Sequence, residues 1–227
     1  MTIDPRFTLL LLLLGSACAT VAPEAPMASA HHAPPRLDAP AALQKLKEGN
    51  ARFLGLAPPI DHALTLRRSE LASAQHPFAI VVGCSDSRTP PELLFDQGLG
   101  DLFVIRSAGN LVDDFALGSL EYAIEHLGAR LVVVLGHERC GAVAAAWAGG
   151  RAPGHVHDLV REIRPAVEAA RGLAGNALEN AVRANVERVA KRIRGRARFG
   201  DLASEVRVVR AYYDLDSGEV EFVDGFL

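Results

Sequence analysis

Gly83-Cys84-Ser85-Asp86-Ser87-Arg88 and its distant echo Gly136-His137-Glu138-Arg139-Cys140-Gly141 decide how this chain folds. Each follows an apolar run of strand character, Phe78-Ala79-Ile80-Val81-Val82 before the first and Leu131-Val132-Val133-Val134-Leu135 before the second. In an extended chain residues two apart point to the same side, so Cys84 and Asp86 face one cavity as the strand ends, with Arg88 close behind. His137 and Cys140 are three apart, a spacing that suits the first turn of a helix. Two thiolates, an imidazole and a nearby carboxylate are the soft and borderline donors that zinc prefers. Both ligand pairs stand where a parallel strand should end, and open α/β sheets place their sites outside the carboxyl ends of their strands.

Cys84-Ser85-Asp86-Ser87-Arg88 and Gly136-His137-x-x-Cys140-Gly141 resemble the two signature motifs of the β-class carbonic anhydrases. Gly100-Asp101-Leu102-Phe103-Val104-Ile105-Arg106-Ser107-Ala108-Gly109-Asn110 and Gly118-Ser119-Leu120-Glu121-Tyr122-Ala123 match that family too, and the resemblance runs from about Ala41 to about Val223. It implies an α/β fold with a mostly parallel central sheet flanked by helices. It also implies one zinc ion per subunit and the reversible hydration of carbon dioxide to bicarbonate and a proton, by attack of zinc-bound hydroxide. Cys84, His137 and Cys140 would be ligands. Asp86 has two roles open to it: closing the site as a fourth ligand, or pairing with Arg88 as the catalytic dyad and leaving a metal position to water. Gln75, Phe103 and Tyr122 match residues lining the substrate pocket, the two aromatics largely from a neighbouring subunit, so a homodimer or higher homo-oligomer is expected. Ala108 stands where some members carry valine. Val81 replaces the tryptophan of members that bicarbonate switches off, so no such switch is implied, although Arg106 matches an arginine of that site. The alternatives are hydrolysis of carbon disulfide or carbonyl sulfide on the same scaffold, and a non-catalytic assembly module around a closed zinc; the Arg88 partner of Asp86 speaks against the latter.

The charge count adds one expectation. Two thiolates cancel the double charge of zinc, so the bound water should ionise at higher pH than on a zinc held by neutral imidazoles, and activity should rise on the alkaline side. The 227 residues, 49% hydrophobic with net charge -3, suit one globular domain of ordinary core size. No run of Lys and Arg supplies a phosphate-tracking face, which excludes a nucleic-acid binder. Of the three cysteines, Cys84 and Cys140 read as metal ligands rather than a disulfide because His and Asp accompany them, and Cys18 is left over.

Cys18 belongs to the leader. Arg6, the apolar run Phe7–Leu14 and the small residues after it describe an export signal over residues 1–19, too short to span a bilayer as an anchor. Leu14-Gly15-Ser16-Ala17-Cys18 resembles a bacterial lipoprotein processing box, with Cys18 as the lipid-bearing residue; cleavage after Ala17-Cys18-Ala19 would instead leave a soluble periplasmic protein. Residues 20–40, rich in Ala and Pro, read as a tether in which His31 and His32 are solvated, and 41–227 as the catalytic domain.

Within that domain, Leu43, Leu46 and Phe53 predict a short helix from Ala41, interrupted at Gly49-Asn50, and a second helix covers Leu64 to Ala74. Pro90 and Pro91 can open a helix after the first motif. Leu102–Ile105 is a strand; Asp113-Asp114 caps a helix with Leu117, Leu120, Ile124 and Leu127 on one face and Gly128 at its end. Ala142–Trp147 forms a small-residue helix. His155 and His157 lack thiol or carboxylate partners and read as loop or helix entry. Leu178 to Ile193 carries a long helical stripe, and 206–223 is a hairpin around Asp216-Ser217-Gly218.

Overall fold

A computed structural model describes residues 36–58 and 60–223. The export signal, Cys18, His31 and His32 lie outside them. Among the described residues no helix is long and apolar enough to cross a membrane.

The two motif strands form the middle of the sheet. β1 (Ala79–Cys84) and β3 (Leu131–His137) are buried at every position and pair in parallel, as continuous apolar runs covered on both faces should. β2 (Leu102–Ser107) adds to the other side of β1, also in parallel, and is an edge strand. β4 (Arg207–Tyr213) pairs in parallel with β3, and β5 (Val220–Phe222) closes the order β2-β1-β3-β4-β5 as an antiparallel hairpin partner. The chain passes from β1 outward to β2 and then crosses to β3 on the opposite side of β1. The crevice between the carboxyl ends of β1 and β3 is therefore a topological switch point.

Alternate strand residues feed two cores. Ile80, Val82, Val132, Val134 and Val208 pack against α4 (Asp114–Glu125) and α7 (Ala177–Arg196). Ala79, Val81, Leu131, Val133 and Val209 face α1 (Ala39–Phe53) and the short α3 (Pro91–Leu94). Asp113 caps α4 by accepting from the Ala116 N–H at 2.8 Å, and Gly128 follows its end with φ +82°, both as expected. α2 (Leu64–Glu70) is shorter than the predicted stretch to Ala74. α5 (Gly141–Ala148) starts directly after Cys140.

Two expectations need correction. α1 begins at Ala39, capped by Asp38, and runs through Gly49-Asn50 without a break. Both residues are buried there. A Cβ at position 49 would overlap the Phe95 carbonyl oxygen, and the Asn50 amide donates to the Leu94 and Gly218 carbonyls at 3.1 Å each. What reads as a helix breaker is the point where helix and sheet touch most closely. The second is that, of the loop and helix-entry roles left open for His155 and His157, the structure shows helix entry: they open a full helix, α6 (Val156–Ala170), whose length was not expected. Val160, Ile163, Val167 and Ala170 bury its inner stripe despite Pro165 in its middle.

Candidate metal centre

Cys84 is the last residue of β1 and His137 the last of β3, so parallel pairing delivers both to the same end of the crevice. Cys140 stands at the N-cap of α5, brought back toward β1 by Arg139, whose φ of 51° turns the loop sharply. The Cys84 and Cys140 sulfurs lie 4.0 Å apart, and the ligand atoms of Cys84, His137 and Cys140 all fall within 4.8 Å of one another. All three side chains are buried. His137 Nδ1 meets the Glu138 carbonyl at 2.9 Å, which fixes Nδ1 as the donor and leaves Nε2 the free lone pair. That Nε2 is buried and has no hydrogen-bond partner. A polar atom orphaned in this way costs free energy unless a ligand takes it up. An unpartnered imidazole nitrogen aimed at two sulfurs fits zinc, which Cys84, His137 and Cys140 would hold.

The thiols are set up for it. The Cys84 thiol is drawn well below its ordinary pKa, chiefly by its hydrogen bond with Cys140 and against the effect of burial, while Cys140 is pushed up by the same partner and by burial. A dication held between the two sulfurs is what would allow both to ionise. The Gly109 N–H points at Cys84 Sγ from 3.3 Å. Gly109 sits at φ +70°, and a Cβ there would press on Ile163 and Ala142, so glycine is needed both for the turn and for the close approach. The Gly109 carbonyl is held in turn by the amide of Asn185, fully buried on α7, at 2.8 Å.

Asp86 was expected either on the metal or on Arg88. Its Oδ1 accepts from Arg88 Nε at 2.9 Å and from the Arg88 backbone N–H at 3.0 Å, and its Oδ2 accepts from Arg88 Nη2 at 2.8 Å. Asp86 Oδ2 approaches His137 Nε2 to 3.9 Å, yet the carboxylate is not among the clustered ligand atoms, because the bidentate guanidinium has claimed it. The Arg88 hydrogen bond holds the carboxyl well below the usual carboxylate range. Arg106 from the edge strand donates to the Cys84 carbonyl at 2.9 Å and to the Asp86 carbonyl at 2.6 Å, bracing the whole turn.

Gln75, Phe103 and Tyr122 are not brought to this cluster within one chain. Gln75 precedes the amino end of β1, the end opposite Cys84, and lines a shallow groove with Glu92, Gln97 and Leu102. Phe103 lies beside Ile80, near that same end of the edge strand. Tyr122 is exposed on α4, its ring 5.0 Å from that of His126. His155 is exposed at the start of α6, within 3.5 Å of Asp158, and belongs to no metal-ligand group among the described residues.

The residues that support the cluster from outside had no sequence signal. Arg139 grips both oxygens of Asp216 in the β4–β5 turn, at 2.8 and 2.6 Å, and reaches Glu138 at 3.0 Å. Glu138 also accepts from the Leu215 N–H at 3.1 Å. The ligand loop is thereby tied to a turn distant in sequence, a contact that nothing in the local pattern announces.

A carbonic anhydrase family model matches residues 79–220, which holds every residue of the cluster and most of the chain. The chain belongs to that family, and to its β class. Carbonic anhydrase 2 of Mycobacterium tuberculosis is 47% identical over 137 residues, 59% of this chain and 66% of the relative, so the match spans just under two thirds of that protein. The fold is similar to that of a Coccomyxa β-carbonic anhydrase solved with acetazolamide, at TM-score 0.65 and 26% identity over 72% of this chain and 79% of that one. It is also similar to the β-carbonic anhydrase CafA of Aspergillus fumigatus, at TM-score 0.64 and 30% identity over 82% and 90% of the two chains.

Proposed function

We propose that the protein catalyses the reversible hydration of carbon dioxide to bicarbonate and a proton at a zinc centre held by Cys84, His137 and Cys140. The observation that carries this reading is the Asp86 carboxylate, fully engaged by Arg88 beside three, and not four, clustered ligand atoms. Three protein ligands are the mark of a catalytic zinc, which keeps a position for water. When bound, zinc supplies Lewis acidity that makes water acidic enough to act as a nucleophile near neutral pH. Asp86, held by Arg88, would accept a hydrogen bond from the attacking water and orient it toward the substrate carbon. Arg88 keeps Asp86 ionised and off the metal, and Gly109 steadies the Cys84 thiolate. Stopped-flow hydration of carbon dioxide by the zinc-loaded protein tests the reading. Turnover that disappears together with zinc in Cys140→Ala is expected. Full zinc occupancy without hydration, or turnover of carbon disulfide or carbonyl sulfide alone, would overturn it.

The pocket is proposed to be completed by a second copy. Gln75 and Phe103 sit at the opposite end of the sheet from Cys84. Two edge strands β2 meeting antiparallel about a twofold axis would carry these residues of one copy to the metal centre of the other. Export is proposed as well, from the leader over residues 1–19 with Cys18 as a candidate lipid anchor. Mass spectrometry of the mature N-terminus checks it, and an intact Met1 in the cytosol would refute it.

A further inference from the structure

We propose that the cavity between the amino end of β1 and the carboxyl end of α4 binds a phosphate-class oxyanion. It has a volume of about 290 Å³ and lies a strand's length from Cys84, roughly 20 Å at the ordinary rise per residue.

Its walls are cationic in a chain whose net charge is -3. Arg36, Lys45 and Arg67 line it together with His76, against Asp101 as the one carboxylate. Asp101 is already committed, with Oδ1 to Arg67 at 2.9 Å and Oδ2 to the Gly98 N–H at 2.9 Å. Two positive charges are left over. Lys45 reaches from α1 and hangs its ammonium 4.0 Å over the Phe78 ring. Among the described residues it donates no hydrogen bond and joins no ion pair, so three N–H donors at the mouth of a half-buried cavity have no protein acceptor. Burial pushes this ammonium below its ordinary pKa, although nearby Asp101 acts the other way. The aromatic face offsets only part of the cost of burying a charge.

Arg36 has no ion pair among the described residues either. Its guanidinium lies across Gly128, at φ +82° just past the end of α4, and any Cβ there would collide with Nε and Cζ. The carbonyl end of α4 offsets part of its charge. The guanidinium still presents its donors to the same cavity as Lys45. An ammonium and a planar fork converging on one space, over an aromatic floor, match an oxyanion bearing two negative charges.

Isothermal titration of the zinc-loaded full chain with inorganic phosphate tests the site, using Lys45→Met and Arg36→Gln with Lys45→Arg as the charge-retaining control. Zinc content and carbon dioxide hydration should be unchanged in all three, which shows that each has folded. Saturable binding is expected, about tenfold weaker in each of the first two variants and retained in the third. A parallel sedimentation with phosphatidic acid vesicles, whose phosphomonoester headgroup can carry two negative charges, separates a lipid headgroup from free phosphate as the source, and binding in either arm that is lost in the same variants supports the site. No saturable binding in either arm, or binding that survives both variants and vanishes when zinc is removed, overturns it.

Discussion

Arg88→Ala removes both guanidinium hydrogen bonds to Asp86, leaving only the backbone N–H of residue 88 on Oδ1, and keeps every clustered ligand atom in place. Zinc content should therefore remain at wild-type level while carbon dioxide hydration falls by about two orders of magnitude, the usual weight of a positioned proton acceptor. Metal analysis beside stopped-flow kinetics checks this, and a near wild-type rate would remove Arg88 from the dyad. The same pairing has a pH signature. Asp86 titrates lower in the folded chain than the ordinary value of about 3.9, so its stabilising effect is present above that value and is lost as pH falls through the folded pKa. The difference in melting temperature between wild type and Asp86→Asn should be flat from neutral to mildly acidic pH and shrink below about pH 4. It should also be small, because Arg88 is half exposed and screened by solvent. At this scale the sequence was most readable. Cys84, His137 and Cys140 announce themselves because ligand chemistry tolerates few substitutes. Gly109, Asn185 and the Arg139–Asp216 pair do not, because their partners are created by the fold and not by neighbouring positions.

The strands and their mostly parallel sheet, though not the strand order, were legible because Ile80–Val82 and Val132–Val134 are too apolar to be anything but buried, and the ligand motifs mark where they stop. The helices were less so. Gly49-Asn50 looks like an interruption when judged by propensity, yet α1 continues through it because contact with the Phe95 carbonyl outweighs the intrinsic cost of glycine, about 1 kcal/mol. α6 escaped notice because Pro165 and the paired histidines mask a stripe that is clear once Val160, Ile163 and Val167 are seen buried together. Gly49→Ala should thus destabilise the protein, against its helix propensity, by about 1–3 kcal/mol. Urea unfolding decides the sign, and a stabilised variant would show that α1 is not seated as described. Asn185→Ala should cost a similar amount, about 1–3 kcal/mol, because it leaves the buried Gly109 carbonyl without its donor. It should also speed zinc loss to a chelator, since the Gly109 N–H then aims less well at Cys84.

For the molecule as a whole, β2 is an open edge of the sheet among the described residues, and Phe115 and Tyr122 are exposed on the neighbouring α4. An uncovered edge of this kind invites pairing with another strand. Sedimentation of the mature protein should show a dimer or larger species, and Tyr122→Asp should weaken both association and turnover. A fully active monomer at micromolar concentration would contradict the shared pocket. Asn50 has a different consequence, in the timing of synthesis. Its partners at Leu94, Gly218 and Val220 stand 44, 168 and 170 positions away, so the first helix cannot lock until the last hairpin exists. A nascent chain therefore completes the seating of its amino-terminal helix only when nearly all of it has been made. If residues 1–19 direct export as proposed, that delay would keep the chain open while it threads a secretion channel.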